Sequence, residues 1–160
     1  MITIREYLST SYRPDRDYVN GVVLERNVGE SNHSRLMGEI LFYYWSRRPQ
    51  WGLWPFVSLR VQLSATRIRV PDLCVVLGEP TEQVLQTPPL ICIEILSSGE
   101  RLSAMQDRIG DYLNFGVPYV WILDPATQQA WRCTPGATQE VTELRTENPE
   151  TLVPVLDLFE

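Results

Sequence analysis

Two nearly continuous apolar runs, Leu90 to Ser97 and Tyr119 to Asp124, flank a segment from about Leu102 to Phe115 with helical patterning. Runs of this kind lie at the centre of a sheet, covered on both faces. A strand, a helix of this length and a second strand make a β-α-β unit, so the two strands should run parallel through a right-handed crossover. Gly116, as the first residue past the helix, and Pro118 just beyond it supply the stop. The chain is therefore expected to build a mixed sheet with a crossover helix packed on it, α/β or α+β in class.

The remaining elements fit around that unit. Ile4 to Ser9 reads as a short helix. Asn20-Gly21 between Asp17–Val19 and Val22–Glu25 signals an N-terminal β-hairpin. Ser31 reads as the N-cap of a helix to about Arg48, with Leu36, Ile40, Leu41 and Tyr44 on one face and Pro49 and Gly52 closing it. Residues 54–64 and 68–77 read as two further strands of the same sheet. Residues 128–133 should return as an antiparallel edge strand. Without repeats or a low-complexity linker, the 160 residues are expected to form a single domain, 1–160.

Counting residue types excludes several chemistries. The only histidine is His33, so a multi-histidine metal site is impossible. Cys74, Cys92 and Cys133 are far apart with no C-x-x-C, which removes the usual zinc spacing and reads as buried small hydrophobes. No G-x-S-x-G, G-x-G-x-x-G or Walker A pattern is present. All 14 basic residues are arginine, so a lysine base, a Schiff base and a P-loop lysine are excluded. The net charge of −6 is uneven: residues 134–160 form an acidic C-terminal segment with six acids against one Arg. The acidity belongs to that segment and does not speak against a nucleic-acid face elsewhere. No apolar run approaches the roughly 20 residues of a bilayer span. The N-terminus lacks a signal pattern, and the expected location is cytoplasmic.

Glu94 is the anomaly. It sits inside Leu90-Ile-Cys-Ile-Glu-Ile-Leu96, where an ionised carboxylate costs several kcal/mol unless paired or metal-bound. Asp72 follows Pro71 inside Ile68-Arg-Val-Pro-Asp-Leu-Cys-Val-Val76, and Pro71 points to a bend or an open end there. Two acids on neighbouring strands can converge on one divalent cation, Mg²⁺ being suited to hard oxygen ligands. The alternatives are that Asp72 caps a turn and that Glu94 pairs with one of the arginines.

Arg69-Val-Pro71-Asp72-Leu, Ile91-Cys-Ile-Glu94-Ile-Leu-Ser97 and Asp107-Arg-Ile-Gly-Asp-Tyr112-Leu-Asn-Phe-Gly116-Val-Pro-Tyr-Val-Trp121-Ile-Leu-Asp124-Pro follow one another in order. Together with Asp17-Tyr-Val-Asn-Gly21 and Gly29-Glu-Ser-Asn-His33, over roughly residues 12–133, this set resembles the bacterial "putative restriction endonuclease" family of the PD-(D/E)XK nuclease superfamily. The resemblance implies a restriction-endonuclease-like core in α-β-β-β-α-β order, Mg²⁺- or Mn²⁺-dependent hydrolysis of DNA phosphodiester bonds, and Asp72 and Glu94 as metal ligands. The superfamily lysine position, two after the Glu, holds Leu96 here. In the family the basic residue comes instead from the next helix, four positions before the Tyr, which is Arg108. Arg108 keeps a charge that would stabilise the developing phosphorane, yet an arginine cannot deprotonate water. The competing reading pairs Arg108 with Asp107 or Asp111.

Weaker candidates surround these three. Glu39 reads as an acid on the exposed face of the first long helix, or as a further carboxylate for the site. His33 reads as a solvated neighbour of that helix's cap, or as a residue approaching the site. Trp45, Trp51 and Trp54 read as core packing rather than base stacking. The leading function is thus a metal-dependent endonuclease, expected to act as a homodimer by analogy with enzymes that cut both strands. A catalytically degenerate nuclease fold kept for binding or dimerisation is the alternative.

Overall fold

The computed structural model describes residues 1–26 and 30–160; Gly29 of the Gly29–His33 segment lies outside the described residues. In chain order the elements are α1 (Ile4–Leu8), β1 (Asp17–Val19), β2 (Val22–Leu24), α2 (Ser31–Ser46), α3 (Arg48–Trp51), β3 (Leu53–Val57), β4 (Val61–Ser64), β5 (Arg67–Arg69), β6 (Leu73–Leu77) and β7 (Ile91–Ile95). A 3₁₀ turn (Leu102–Met105) leads into α4 (Gln106–Phe115), followed by β8 (Tyr119–Asp124), β9 (Gln129–Thr134), β10 (Ala137–Val141), β11 (Glu143–Thr146), β12 (Thr151–Pro154) and a closing 3₁₀ turn (Val155–Phe159).

The main sheet has six strands in the order β10-β9-β8-β7-β6-β3, and β7 and β8 are its parallel pair. The β-α-β unit therefore closes as its sequence demands, with Gly116 ending α4 at φ 97°. Apolar residues cover both faces. Leu36, Ile40 and Tyr44 of α2 pack on Leu73, Val75, Ile91, Ile93 and Trp121. Ile109 and Tyr112 of α4 pack on Cys74, Cys92, Val120 and Ile122 across the sheet. The core reads α2-β3-β6-β7-α4-β8, the α-β-β-β-α-β order.

A second sheet, β2-β1-β5-β4, is where the sequence reading needs correction. Residues 54–64 and 68–77 are not two strands of one sheet. Each divides, sending β3 and β6 to the main sheet and β4 and β5 to the small one. The breaks have local causes. Ser58 takes φ 51° between β3 and β4, a conformation that ends an extended run. Pro71 lacks the N–H that would continue the ladder between β5 and β6. The hairpin β1–β2 turns at Asn20 and Gly21 with φ 51° and 87°, the double positive φ of a type I′ turn.

Other boundaries differ as well. Glu30, not Ser31, is the N-cap of α2. The helix stops at Ser46, while Pro49 falls inside α3, which Gly52 ends at φ 66°. The first turn expected of the crossover helix is 3₁₀ in form. Residues 128–133 pair antiparallel to β8 but do not form an edge, because β10 folds back on β9 through Pro135-Gly136. The acidic segment 134–160 is thus built into the fold, and Leu144, Val153, Val155 and Leu158 complete the core beside α2. No helix of the described residues is long and apolar enough to cross a membrane.

Candidate active site

Asp72 is the residue at which the chain passes from the small sheet to the main one. Leu73 pairs with Ile93 and Cys74 with Cys92 in the β6–β7 register, so extending that register by one sets Asp72 opposite Glu94. Each acid accepts from a backbone N–H of the other's strand region. The Asp72 N–H donates to Glu94 Oε1 at 3.2 Å, and the Ile95 N–H donates to Asp72 Oδ2 at 2.8 Å. Glu94 is fully buried and Asp72 is 8% exposed.

Two guanidiniums, an imidazole and a phenol surround the pair. Arg26 Nη2 donates to Asp72 Oδ1 at 2.8 Å and to Glu94 Oε1 at 3.0 Å, while its Nη1 donates to the Val70 carbonyl. Arg108 reaches in from α4 with Nη1 3.4 Å from Glu94 Oε2 and Nη2 2.5 Å from Asp17 Oδ2. Tyr112, one turn further along the same face, donates its hydroxyl to Glu94 Oε2 at 2.7 Å. His33 Nε2 is 3.4 Å from Asp72 Oδ2. A cavity of about 130 Å³ opens onto Arg26, His33, Asp72, Ser97, Glu100 and Arg108.

The electrostatics split the acids. Burial pushes the Glu94 carboxyl up, but the guanidiniums of Arg26 and Arg108, with the bonds from Arg26 and Tyr112, outweigh it and lower its pKa to about 2. Asp72 goes the other way, raised by burial and by the charge on Glu94. The hydrogen bond to Asp72 raises His33 against the effect of burial. Glu94 is therefore a fixed anion, and the proton affinity of the centre resides on Asp72 and His33.

The structure brings Asp72, Glu94 and Arg108 together. Of the alternative partners for Arg108, Asp111 is occupied elsewhere, accepting from Arg67 and Arg69, and among the described residues the ion pairs of Arg108 go to Asp17 and Glu94 rather than to Asp107. His33 is a correction: it is 7% exposed at the start of α2 and faces Asp72, rather than lying solvated beside a cap. Glu39 is half-buried on α2 and takes no part in the hydrogen bonds or ion pairs of the site among the described residues. The tryptophans divide as well. Trp51 packs on Tyr43 and Tyr44, whereas Trp45 is 46% exposed beside Trp54 with Arg48 stacked over both.

Three participants were not visible as such in the sequence. Arg26 lies beyond the hairpin with no flanking pattern. Asp17 opens the hairpin, where its full burial against Arg69, Arg108 and the Val70 N–H has no local signature. Tyr112 carried a usable signal, its four-residue spacing from Arg108.

No third carboxylate, histidine or cysteine joins Asp72 and Glu94 in a metal-holding group among the described residues. The pair nevertheless converges on one cation position, because a single guanidinium nitrogen bonds an oxygen of each. Two hard anionic oxygens meeting at one point suit a divalent ion whose shell is completed by water.

A family model described as "Uma2: Putative restriction endonuclease" matches residues 6–160. Among solved structures, a "putative nuclease belonging to DUF820" from Anabaena variabilis superposes with a TM-score of 0.81 at 23% identity, covering 99% of this chain and 98% of that one. At that identity the likeness is one of fold. No curated protein matches the sequence.

Proposed function

The chain belongs to the Uma2 family, and from that premise we propose that it is a divalent-metal-dependent endonuclease acting on DNA, with Asp72 and Glu94 as the ligands of one Mg²⁺ or Mn²⁺. The observation that carries this reading is the convergence of both carboxylates on one cation position beside an open cavity. A bound ion there would supply Lewis acidity toward the phosphodiester and toward water.

The protein's own residues have distinct tasks. Glu94 stays ionised, so the ion needs no competing proton on that side. Arg108 is pinned by Asp17, and its Nη1 stands 3.4 Å from Glu94 Oε2 without a well-formed hydrogen bond among the described residues. The guanidinium lines the cavity, where its charge would offset negative charge developing on a phosphate. Arg108 is an electrostatic stabiliser and not a base, since a guanidinium does not deprotonate near neutrality. Cutting both strands of a symmetric site calls for two such centres on a dyad, so a homodimer in the cytoplasm belongs to the same proposal.

The test is nicking of supercoiled plasmid by the purified protein with Mg²⁺ or Mn²⁺. Cleavage is expected in wild type and its loss in Asp72→Asn and Glu94→Gln. A second reading, a nuclease fold that binds DNA without cutting it, is favoured by one observation, the guanidinium of Arg26 already seated between the carboxylates. Retention of DNA without nicking under either ion would select it.

A further inference from the structure

Arg26 follows β2 by two residues and sends its side chain back into the acidic centre. One nitrogen, Nη2, bonds both Asp72 Oδ1 and Glu94 Oε1, and Nη1 bonds the Val70 carbonyl. The charges balance as the site stands. With His33 neutral, four acids, Asp17, Asp72, Glu94 and Asp111, face four guanidiniums, those of Arg26, Arg67, Arg69 and Arg108. Adding a divalent ion with every arginine in place would leave two uncompensated positive charges in a buried site, which is costly. Exchanging the Arg26 guanidinium for the ion leaves one, and a phosphodiester brings one negative charge to offset it.

The partners of each arginine decide which would leave. Arg69 is tied to both Asp17 and Asp111, at 3.1 and 2.8 Å. Arg108 is tied to Asp17 at 2.5 Å and is carried on a packed helix. The two carboxylates that Arg26 bonds are those a metal would take, and its remaining acid, Asp17, is 3.9 Å away.

Resting on the nuclease reading, we propose that Arg26 is the resident cation of the Asp72–Glu94 pair and that a divalent ion enters by exchange with its guanidinium. Arg26 thereby weakens divalent binding and keeps the metal-free centre neutral. The same residue prevents two buried carboxylates from facing each other uncompensated before the ion arrives.

Calorimetric titration of Mn²⁺ alone into wild type, Arg26→Gln, Arg26→Lys and Asp72→Asn tests this. Removing a competitor that occupies the seat most of the time should tighten Mn²⁺ binding roughly tenfold or more in Arg26→Gln. Arg26→Lys, a point cation without the fork, should bind with intermediate affinity. The thermal midpoint of Arg26→Gln should be lower than wild type in chelator and should rise more steeply with Mn²⁺. If Arg26→Gln does not fold in chelator, its recovery of circular dichroism on adding Mn²⁺ is the expected result. In wild type, Mg²⁺ should shift the Arg26 guanidinium resonances and speed their exchange with water. Binding by Arg26→Gln and Arg26→Lys no tighter than wild type, with binding lost in Asp72→Asn, would overturn the exchange and leave the metal site standing. Absence of Mn²⁺ binding in every protein would overturn both.

Discussion

Asp17 and Arg108 meet at 2.5 Å, so a hairpin strand of the small sheet grips a helix that covers the large one. Asp17 is fully buried and also accepts from the Val70 N–H at 2.9 Å, at the point where the chain leaves β5 for Asp72. One carboxylate thereby fixes both the arginine that faces Glu94 and the segment that carries Asp72. The small sheet is part of the site's scaffold, not an appendage to it.

Removing Arg108 should cost stability as well as activity. Arg108→Ala leaves Asp17 and Glu94 short of a cation inside the protein, a loss of about 3 kcal/mol. Arg108→Lys keeps the charge and should retain metal-dependent cleavage, while Arg108→Ala should abolish it. Urea unfolding and plasmid nicking check the two halves separately. Unchanged cleavage in Arg108→Ala would reduce this residue to a structural ion pair.

Tyr112→Phe isolates one hydrogen bond. The Tyr112 hydroxyl donates to an ionised, fully buried Glu94 at 2.7 Å, and bonds to charged groups contribute about 1.5–3 kcal/mol. The ring stays in its apolar site against the sheet, so packing is preserved. Urea unfolding should show a loss in that range with an unchanged denaturant slope, and a loss below about 0.5 kcal/mol would show the bond to be dispensable.

What the sequence disclosed follows the physics of each signal. The crossover was legible because Leu90–Ser97, Gly116 and Pro118 act locally, through hydrophobicity and backbone conformation. Glu94 was legible because a carboxylate in an apolar strand demands an explanation. The division of 54–64 and 68–77 between two sheets was not, since alternation at Val57, Leu59, Val61 and Leu63 is the same whether one sheet or two receives it. Only Ser58 and Pro71 mark the switches, and Ser58 carries no residue-type signal for its φ of 51°. Arg26 and Asp17 belong to the site through contacts spanning tens of residues, which no spacing rule encodes.

The three cysteines should resist alkylation in the folded protein. All are buried, and burial raises each thiol, Cys74 to about 12. Below the pKa of about 8.5 of an unfolded thiol, both states are protonated and stability is unaffected. Above it, the unfolded chain loses protons that the folded chain keeps, so stability falls as pH rises from about 9 toward 12. Iodoacetamide labelling at neutral pH should be slow until urea unfolds the chain. Rapid labelling of the native protein would contradict the packing of β6, β7 and β9.

Pro55 should matter for stability rather than for the site. The Gly78 N–H donates to the Gly52 carbonyl and the Ser58 N–H to the Asp72 carbonyl. By the β3–β6 register, residues 54 and 56 therefore turn their backbone groups toward β6, while 53, 55 and 57 turn theirs outward. β3 is an edge of the main sheet, and its middle outward position is the one residue type without an N–H to offer. Residue 55 is nevertheless buried, so an N–H there would be shut away from water and turned away from β6. Proline removes the donor that would otherwise go unpaired. Pro55→Thr restores that N–H and adds a hydroxyl, leaving buried polar groups without partners at a cost of about 1–3 kcal/mol. Urea unfolding should show that loss, with metal-dependent nicking retained. Equal stability of wild type and Pro55→Thr would show that the restored donor finds a partner.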